Sequence, residues 1–167
     1  GREVRPNSLV RKKDNDMDLL IALDVSLAST ALCALNAHGK VVKEAKVDSE
    51  PEALIAVLRA LPGRVVVVGL EAGPLSQWLH LHMSGAGFTV VLLETRQVKG
   101  ALKAMPIKTD RRDAEGIARL LQMGWFRPVH CKSVSAQEMR AVLNTRKSLQ
   151  QVLINLELSL RGVLRNF

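Results

Sequence analysis

The sequence predicts an α/β fold: a mixed sheet of five strands with flanking helices, followed by a long C-terminal helix that reads as a coiled coil. Three observations carry this expectation. Apolar runs of strand length, Leu19-Leu20-Ile21-Ala22-Leu23 and the four valines Val65 to Val68, imply strands buried on both faces. Segments of helical periodicity alternate with later strands, as in crossover-connected parallel strands. From Met139 onward, apolar residues fall three and four apart to the end of the chain, the spacing of a heptad seam.

Taken in order, residues 1–16 are a basic, polar lead-in, residues 17–130 the α/β domain and residues 134–167 the coiled-coil helix. The first strand is expected at about Asp18 to Val25, with Asp24 at its end. Ser29 to Leu35 and Lys40 to Val47 read as two more strands, joined through Asn36-Ala37-His38-Gly39, whose Asn and Gly suit a tight reversal. Three strands in series make a meander. Ser49-Glu50-Pro51-Glu52 has a capping-box pattern with Pro in the first turn; Ala53, Leu54, Val57, Leu58 and Leu61 then recur at helical spacing until Pro62-Gly63. Arg64 to Leu70 is the fourth strand, and Glu71 follows it directly. Pro74 to Ser84 repeats the helical rhythm through Leu75, Trp78, Leu79 and Met83, and Phe88 to Leu93 is the fifth strand. A further helix, capped by Thr109 or Asp110, continues through Ile117, Ala118, Leu120 and Leu121 to Gly124. Trp125 and Phe126 read as core or hinge residues.

An antiparallel meander extended by parallel strands through helical crossovers matches the ribonuclease-H-like, or RuvC-like, fold. In such a sheet the first strand is central and the fourth lies beside it. Asp24 and Glu71 then converge at the carboxyl edge, where open α/β sheets collect ligands. Asp110 and Asp113, three residues apart on a helix, share one face. Acids at the ends of buried strands are costly to desolvate, so Asp24 and Glu71, joined by the two helix acids, point to a cation or a catalytic task. Oxygen donors without His or Cys favour Mg²⁺ or Mn²⁺. Two such ions, roughly 4 Å apart, activate a water or hydroxyl and stabilise the leaving oxygen of a phosphodiester. The implied reaction class is hydrolysis or transesterification of nucleic acid. Lys103, Lys108, Arg111 and Arg112 stand beside the acids in sequence and are candidate phosphate contacts.

Composition agrees with a polyanionic partner. The 167 residues carry a net charge of +8, with a pI near 10.0, which favours nucleic acid or an anionic membrane face. No window has the roughly 20 apolar residues of a spanning helix, and the polar N-terminus has no signal-peptide core. Cys33 and Cys131 provide neither a disulfide framework nor a paired zinc signature, which suits a reducing cytoplasm. The N-terminal basic residues Arg2, Arg5, Arg11, Lys12 and Lys13 suit either RNA binding or simple solubility.

Three strings carry a family resemblance: Ile21-Ala22-Leu23-Asp24-Val25-Ser26, Gly69-Leu70-Glu71-Ala72-Gly73-Pro74-Leu75 and Lys108-Thr109-Asp110-Arg111-Arg112-Asp113-Ala114. Together they resemble the N-terminal RuvC-like domain of the DEDD transposases of the insertion-sequence 110 family, from about Leu19 to the C-terminus, the last string being the most specific. The resemblance implies a bacterial recombinase that moves a DNA element, guided by a structured RNA that pairs with donor and target. It assigns catalysis and metal binding to Asp24, Glu71, Asp110 and Asp113. It also implies a further domain that supplies a nucleophilic serine beyond Phe167, so the residues up to Phe167 are not expected to complete recombination alone. The chain departs from the family pattern at Leu27, where many relatives have Lys, and at Gly73-Pro74 in place of Thr-Gly. Neither departure removes a carboxylate.

In the C-terminal segment, Ser135-Ala136-Gln137-Glu138 reads as a second capping box. The seam runs through Met139, Val142, Leu149, Leu153, Leu156, Leu160, Val163 and Phe167, with Arg146 taking one position. A polar seam residue fixes register and partner number, so Arg146 is expected to set how copies of this helix pair in a homo-oligomer, and the family resemblance implies that the segment connects two domains and helps assemble subunits. Two other readings stay open: a nucleic-acid-binding and oligomerisation module that is catalytically silent, and a Holliday-junction-resolvase-like nuclease. Asp24-Val25-Ser26 with Ser29-Thr30 also resembles the first phosphate loop of actin-like ATPases. Those proteins need a second copy of the fold and a glycine-rich adenosine motif, and this sequence has neither.

Overall fold

The computed structural model describes residues 17–103 and 110–166. The chain divides into two compact units, one ending at Cys131 and the other beginning at Lys132. In the first, β1 (Asp18–Val25), β2 (Ser29–Asn36) and β3 (Val41–Asp48) form the antiparallel meander. Asn36 closes the β2–β3 reversal by accepting from the amides of His38 and Lys40 at its side-chain oxygen, at 3.1 and 2.9 Å, while Gly39 takes φ +76°. Helix α1 (Pro51–Arg59) leads to β4 (Arg64–Glu71), which pairs parallel with β1; α2 (Ser76–Gly85) leads to β5 (Val90–Leu93), parallel to β4. Helices α3 (Thr95–Leu102) and α4 (Asp110–Met123) follow.

The sheet order is β3-β2-β1-β4-β5-β6, with β1 at the centre and β4 beside it, the ribonuclease-H-like arrangement. It has six strands rather than the expected five, because β6 (Pro128–Val129) adds an antiparallel pair to β5. Two residues carry no periodicity, so the pairing that creates this strand is invisible locally. α3 was likewise not expected: it is one short run in which Val98 is buried and most other positions are polar or small. Trp125 is exposed whereas Phe126 is core, so the aromatic pair splits between solvent and interior.

Both sheet faces are covered. Leu54 and Leu58 of α1 and Leu79 and Met83 of α2 pack with Leu19, Ile21 and Leu23 on one side. Val98 of α3 and Ala114, Ile117, Ala118 and Leu121 of α4 pack with Leu20, Ala22, Val67 and Leu93 on the other. Gly69 lets α4 approach closely: a methyl group there would lie 2.5 Å from Leu121 Cδ1 and 2.8 Å from Cδ2. Gly124 ends α4 at φ +64°, with its amide donating to the Leu121 carbonyl and that of Trp125 to the Leu120 carbonyl.

Both capping boxes are corrected. Glu50 stands at the N-cap of α1 without a side-chain bond, and the Ser49 hydroxyl goes instead to the Ser26 carbonyl at 2.7 Å and to Thr30 Oγ1 at 2.8 Å. The second unit is α5 (Val134–Leu164), one continuous helix whose cap is Ser133, accepting from the Ala136 amide at 3.3 Å. Its seam residues within this span are exposed, as are Leu143, Val152, Ile154, Leu158 and Leu164. Among the described residues no helix is long and apolar enough to cross a membrane.

Candidate active site

Strand alternation aims two acids at one helix. Leu20 and Ala22 of β1 and Val67 and Gly69 of β4 face α4, so the next residues of the same parity, Asp24 and Glu71, face that side too. Leu23 is registered with Leu70 in the parallel pair, which makes Asp24 and Glu71 the next positions on adjacent strands. On α4 the buried stripe Ala114, Ile117, Ala118 and Leu121 begins one residue after Asp113. Asp113 is therefore carried to the same edge.

The result is a cleft of about 840 Å³ lined by Asp24, Glu71 and Asp113, with Val25, Ser26, Leu27 and Ala28 of the β1–β2 turn on one rim. Pro74 and Leu75 line it from the β4–α2 loop, and Lys99, Leu102 and Lys103 from α3 and its cap. Asp110 occupies the first position of α4, three residues before Asp113; its side chain and that of Arg111 lie outside the described residues, as does all of Lys108. Of the remaining basic candidates, Lys103 lines the cleft, whereas Arg112 is exposed and is not among the lining residues.

Lys99 is the charged cleft residue that sequence reasoning missed. Its Nζ lies 3.9 Å from Glu71 Oε1, with Lys99 largely exposed. Such a pair is loose and solvent-screened, so the ammonium can leave Glu71 at little cost. The available signal was the spacing of Lys99 and Lys103, four apart and hence on one helical face.

The surrounding loops are pinned. The Thr95 hydroxyl donates to the Ala72 carbonyl at 2.7 Å and the Ala72 amide to the Leu93 carbonyl at 2.9 Å, tying the segment after Glu71 to the start of α3. Buried Ser76 donates to the Gly73 carbonyl at 2.7 Å and accepts from the Gly73 amide at 3.0 Å. The donor chemistry suits a hard divalent cation, because the described lining residues include carboxylates but no His or Cys. The three acids share the cleft without closing into a cage: among the described residues, no three His, Cys, Asp or Glu side chains are grouped to hold an ion.

Comparisons with known proteins relate this sequence to a family. A transposase for insertion sequence element IS1111A from Coxiella burnetii (strain RSA 493 / Nine Mile phase I) is 28% identical over 163 residues, covering 96% of this chain and 43% of that protein. The chain thus spans less than half the length of the curated relative it matches. Among solved structures, Thermus thermophilus RuvC aligns with a TM-score of 0.47 at 16% identity, over 66% of this chain and 99% of that one. T. thermophilus RuvC in complex with Holliday junction substrate gives 0.45 at 17%, with the same coverage. The family model of the insertion-sequence 110 DEDD transposases, described as Transposase, matches residues 21–167. That match runs from the middle of β1 to the last residue and takes in Asp24, Glu71, Asp110 and Asp113, so the chain belongs to the DEDD transposase family of insertion-sequence 110 elements.

Proposed function

We propose that the cleft is the metal-dependent DNA-processing site of an insertion-sequence transposase, with Asp24, Glu71, Asp110 and Asp113 as its catalytic acids. One observation carries this reading: Asp24, Glu71 and Asp113, from three elements far apart in sequence, line the same cleft at the carboxyl edge of the sheet. Mg²⁺ or Mn²⁺, as a pair, would be held by the four acids and would supply Lewis acidity to the phosphodiester. Lys99 and Lys103 bind the phosphate whose charge the acids would otherwise repel. Arg112, with Lys108 and Arg111 that adjoin it in sequence, is assigned to the flanking phosphates, and a structured guide RNA is the second polyanion served by the net charge of +8. The reaction belongs to a bacterial cytoplasm.

Calorimetric titration with Mn²⁺ tests the site without requiring turnover. The wild-type chain binds Mn²⁺, and Asp24→Asn and Asp113→Asn each weaken binding by on the order of tenfold or more. Retention of full Mn²⁺ affinity by both variants sinks the reading. Nicking of branched DNA in Mg²⁺, lost in Asp24→Asn, is the accompanying activity; symmetric resolution of four-way junctions would favour a resolvase instead.

A second proposal concerns partners. The exposed apolar stripe of α5, from Met139 to Val163, is favoured as the pairing surface for a second copy of this chain. This is the observation that supports an oligomerisation role, and it is compatible with the catalytic one.

A further inference from the structure

We propose that Leu27 seats an unstacked nucleobase at the mouth of the acidic cleft, so that the site takes DNA unpaired at the phosphate it processes in preference to intact duplex. The inference rests on reading the cleft as a DNA-processing site and adds the substrate class. Leu27 is 81% exposed at the tip of the β1–β2 turn, three residues after Asp24, and lines the cleft. Single exposed leucines are ordinary on surfaces. This one differs because its turn is clamped from both sides.

Within the turn, Ser26 Oγ donates to the Ser29 carbonyl at 2.5 Å, the Ser26 amide donates to the same oxygen at 3.2 Å, and the Ser29 amide donates to Ser26 Oγ at 3.4 Å. From the neighbouring segment, the Ser49 hydroxyl donates to the Ser26 carbonyl at 2.7 Å and the Ser49 amide to the Ala28 carbonyl at 3.2 Å. Ser49 and its partner Thr30 are themselves buried, at 3% and 0% exposure. The backbone that carries Leu27 is thus tied to the core, and the turn presents the side chain to solvent.

The cleft around it has three chemistries. Asp24, Glu71 and Asp113 line it with carboxylates, Lys99 and Lys103 with ammonium groups, and Leu27, Pro74, Leu75 and Leu102 with apolar side chains. A phosphate alone satisfies the lysines and leaves the apolar side chains wet. In duplex DNA the faces of the bases are covered by stacking, so an apolar side chain reaches one only where the stack is broken. A nucleotide whose base has left the stack uses both favourable chemistries at once: its phosphate reaches the lysines and the apolar face of its base reaches the leucines. Unpaired DNA has already met the unstacking cost, which makes it the preferred form.

Fluorescence anisotropy on the full chain, without divalent ions, compares a paired duplex with the same duplex carrying a short central mismatched bubble. A 2-aminopurine in the bubble reports stacking. Wild type binds the bubble more tightly than the duplex and changes the 2-aminopurine emission. Leu27→Ala reduces the preference by about fivefold, the lower end of base-stacking contributions, while duplex affinity and melting temperature stay at wild-type values. Leu27→Lys tightens binding to both DNAs but removes the emission change. Equal binding of both DNAs by wild type, or an unchanged preference in Leu27→Ala, overturns the seat. Mn²⁺ titration separates the two readings: an acid-dependent metal site without bubble preference leaves the cleft assignment standing and removes the base seat.

Discussion

At the scale of single residues, the shape of the site depends on a residue with no side chain. Gly69 stands in β4 two positions before Glu71, and its missing methyl is the space filled by Leu121 of α4. Gly69→Ala overpacks this contact and costs about 1–3 kcal/mol, read as a lowered melting temperature. Because α4 carries Asp113, the same variant weakens Mn²⁺ binding although it touches no acid; undisturbed stability and metal affinity together would show that Leu121 repacks freely. At the opposite edge, Asp18 and Arg64 open β1 and β4 in register and form a bidentate pair at 2.8 and 2.7 Å. The hydrogen bond from Arg64 holds the Asp18 carboxyl below its ordinary range, opposed by a smaller effect of burial. A carboxylate whose folded value is depressed contributes stability fully above its unfolded value, about pH 4, and loses it as pH falls through the folded value. Asp18→Asn therefore melts below wild type at pH 7, and the gap narrows on acidification below pH ~4.

At the scale of elements, α5 is one continuous helix that carries an exposed apolar stripe from Met139 to Val163. Arg146 interrupts the seam between Val142 and Leu149 with a charge. If two copies pair there, Arg146→Leu raises the thermal stability of the assembly and loosens its choice of partner number, while Leu153→Glu weakens association by about 3 kcal/mol, on the order of a hundredfold. Sedimentation over a concentration series reads both; a chain that stays monomeric in every variant removes the pairing. The elements also show what local sequence carries. Continuous apolar runs located β1 and β4, and with them Asp24 and Glu71 at strand ends, because burial on both faces leaves a pattern that needs no partner to be read. The string from Lys108 to Ala114 located Asp113 through its resemblance. What escaped depends on distant contacts: β6 exists through its pairing with β5, and Ser49 leaves its expected capping role for Ser26 and Thr30. α3 has too few buried positions to mark a stripe, and missing it hid Lys99.

At the scale of the whole molecule, a chain of net charge +8 lines one cleft with Asp24, Glu71 and Asp113 as well as Lys99 and Lys103, so attraction for a polyanion and repulsion by these carboxylates act together. Each phosphate neutralised by a basic side chain releases counterions, and the slope of log affinity against log salt falls by about 0.9 per contact in duplex DNA. Lys99 and Lys103 are assigned two such contacts, so the double change Lys99→Gln with Lys103→Gln reduces the slope by about 2 and weakens binding to all sequences alike. The acids oppose this: Asp24→Asn and Glu71→Gln each remove a repulsive charge from the cleft and raise affinity for DNA in the absence of divalent ions, although they weaken Mn²⁺ binding. Opposite signs for the lysine and acid variants, measured by anisotropy across a salt series, are what a phosphate seated between the lysines and the carboxylates requires. If the acid variants instead weaken DNA binding without metal, the phosphate does not enter the cleft, and the basic surface serves a backbone that passes elsewhere.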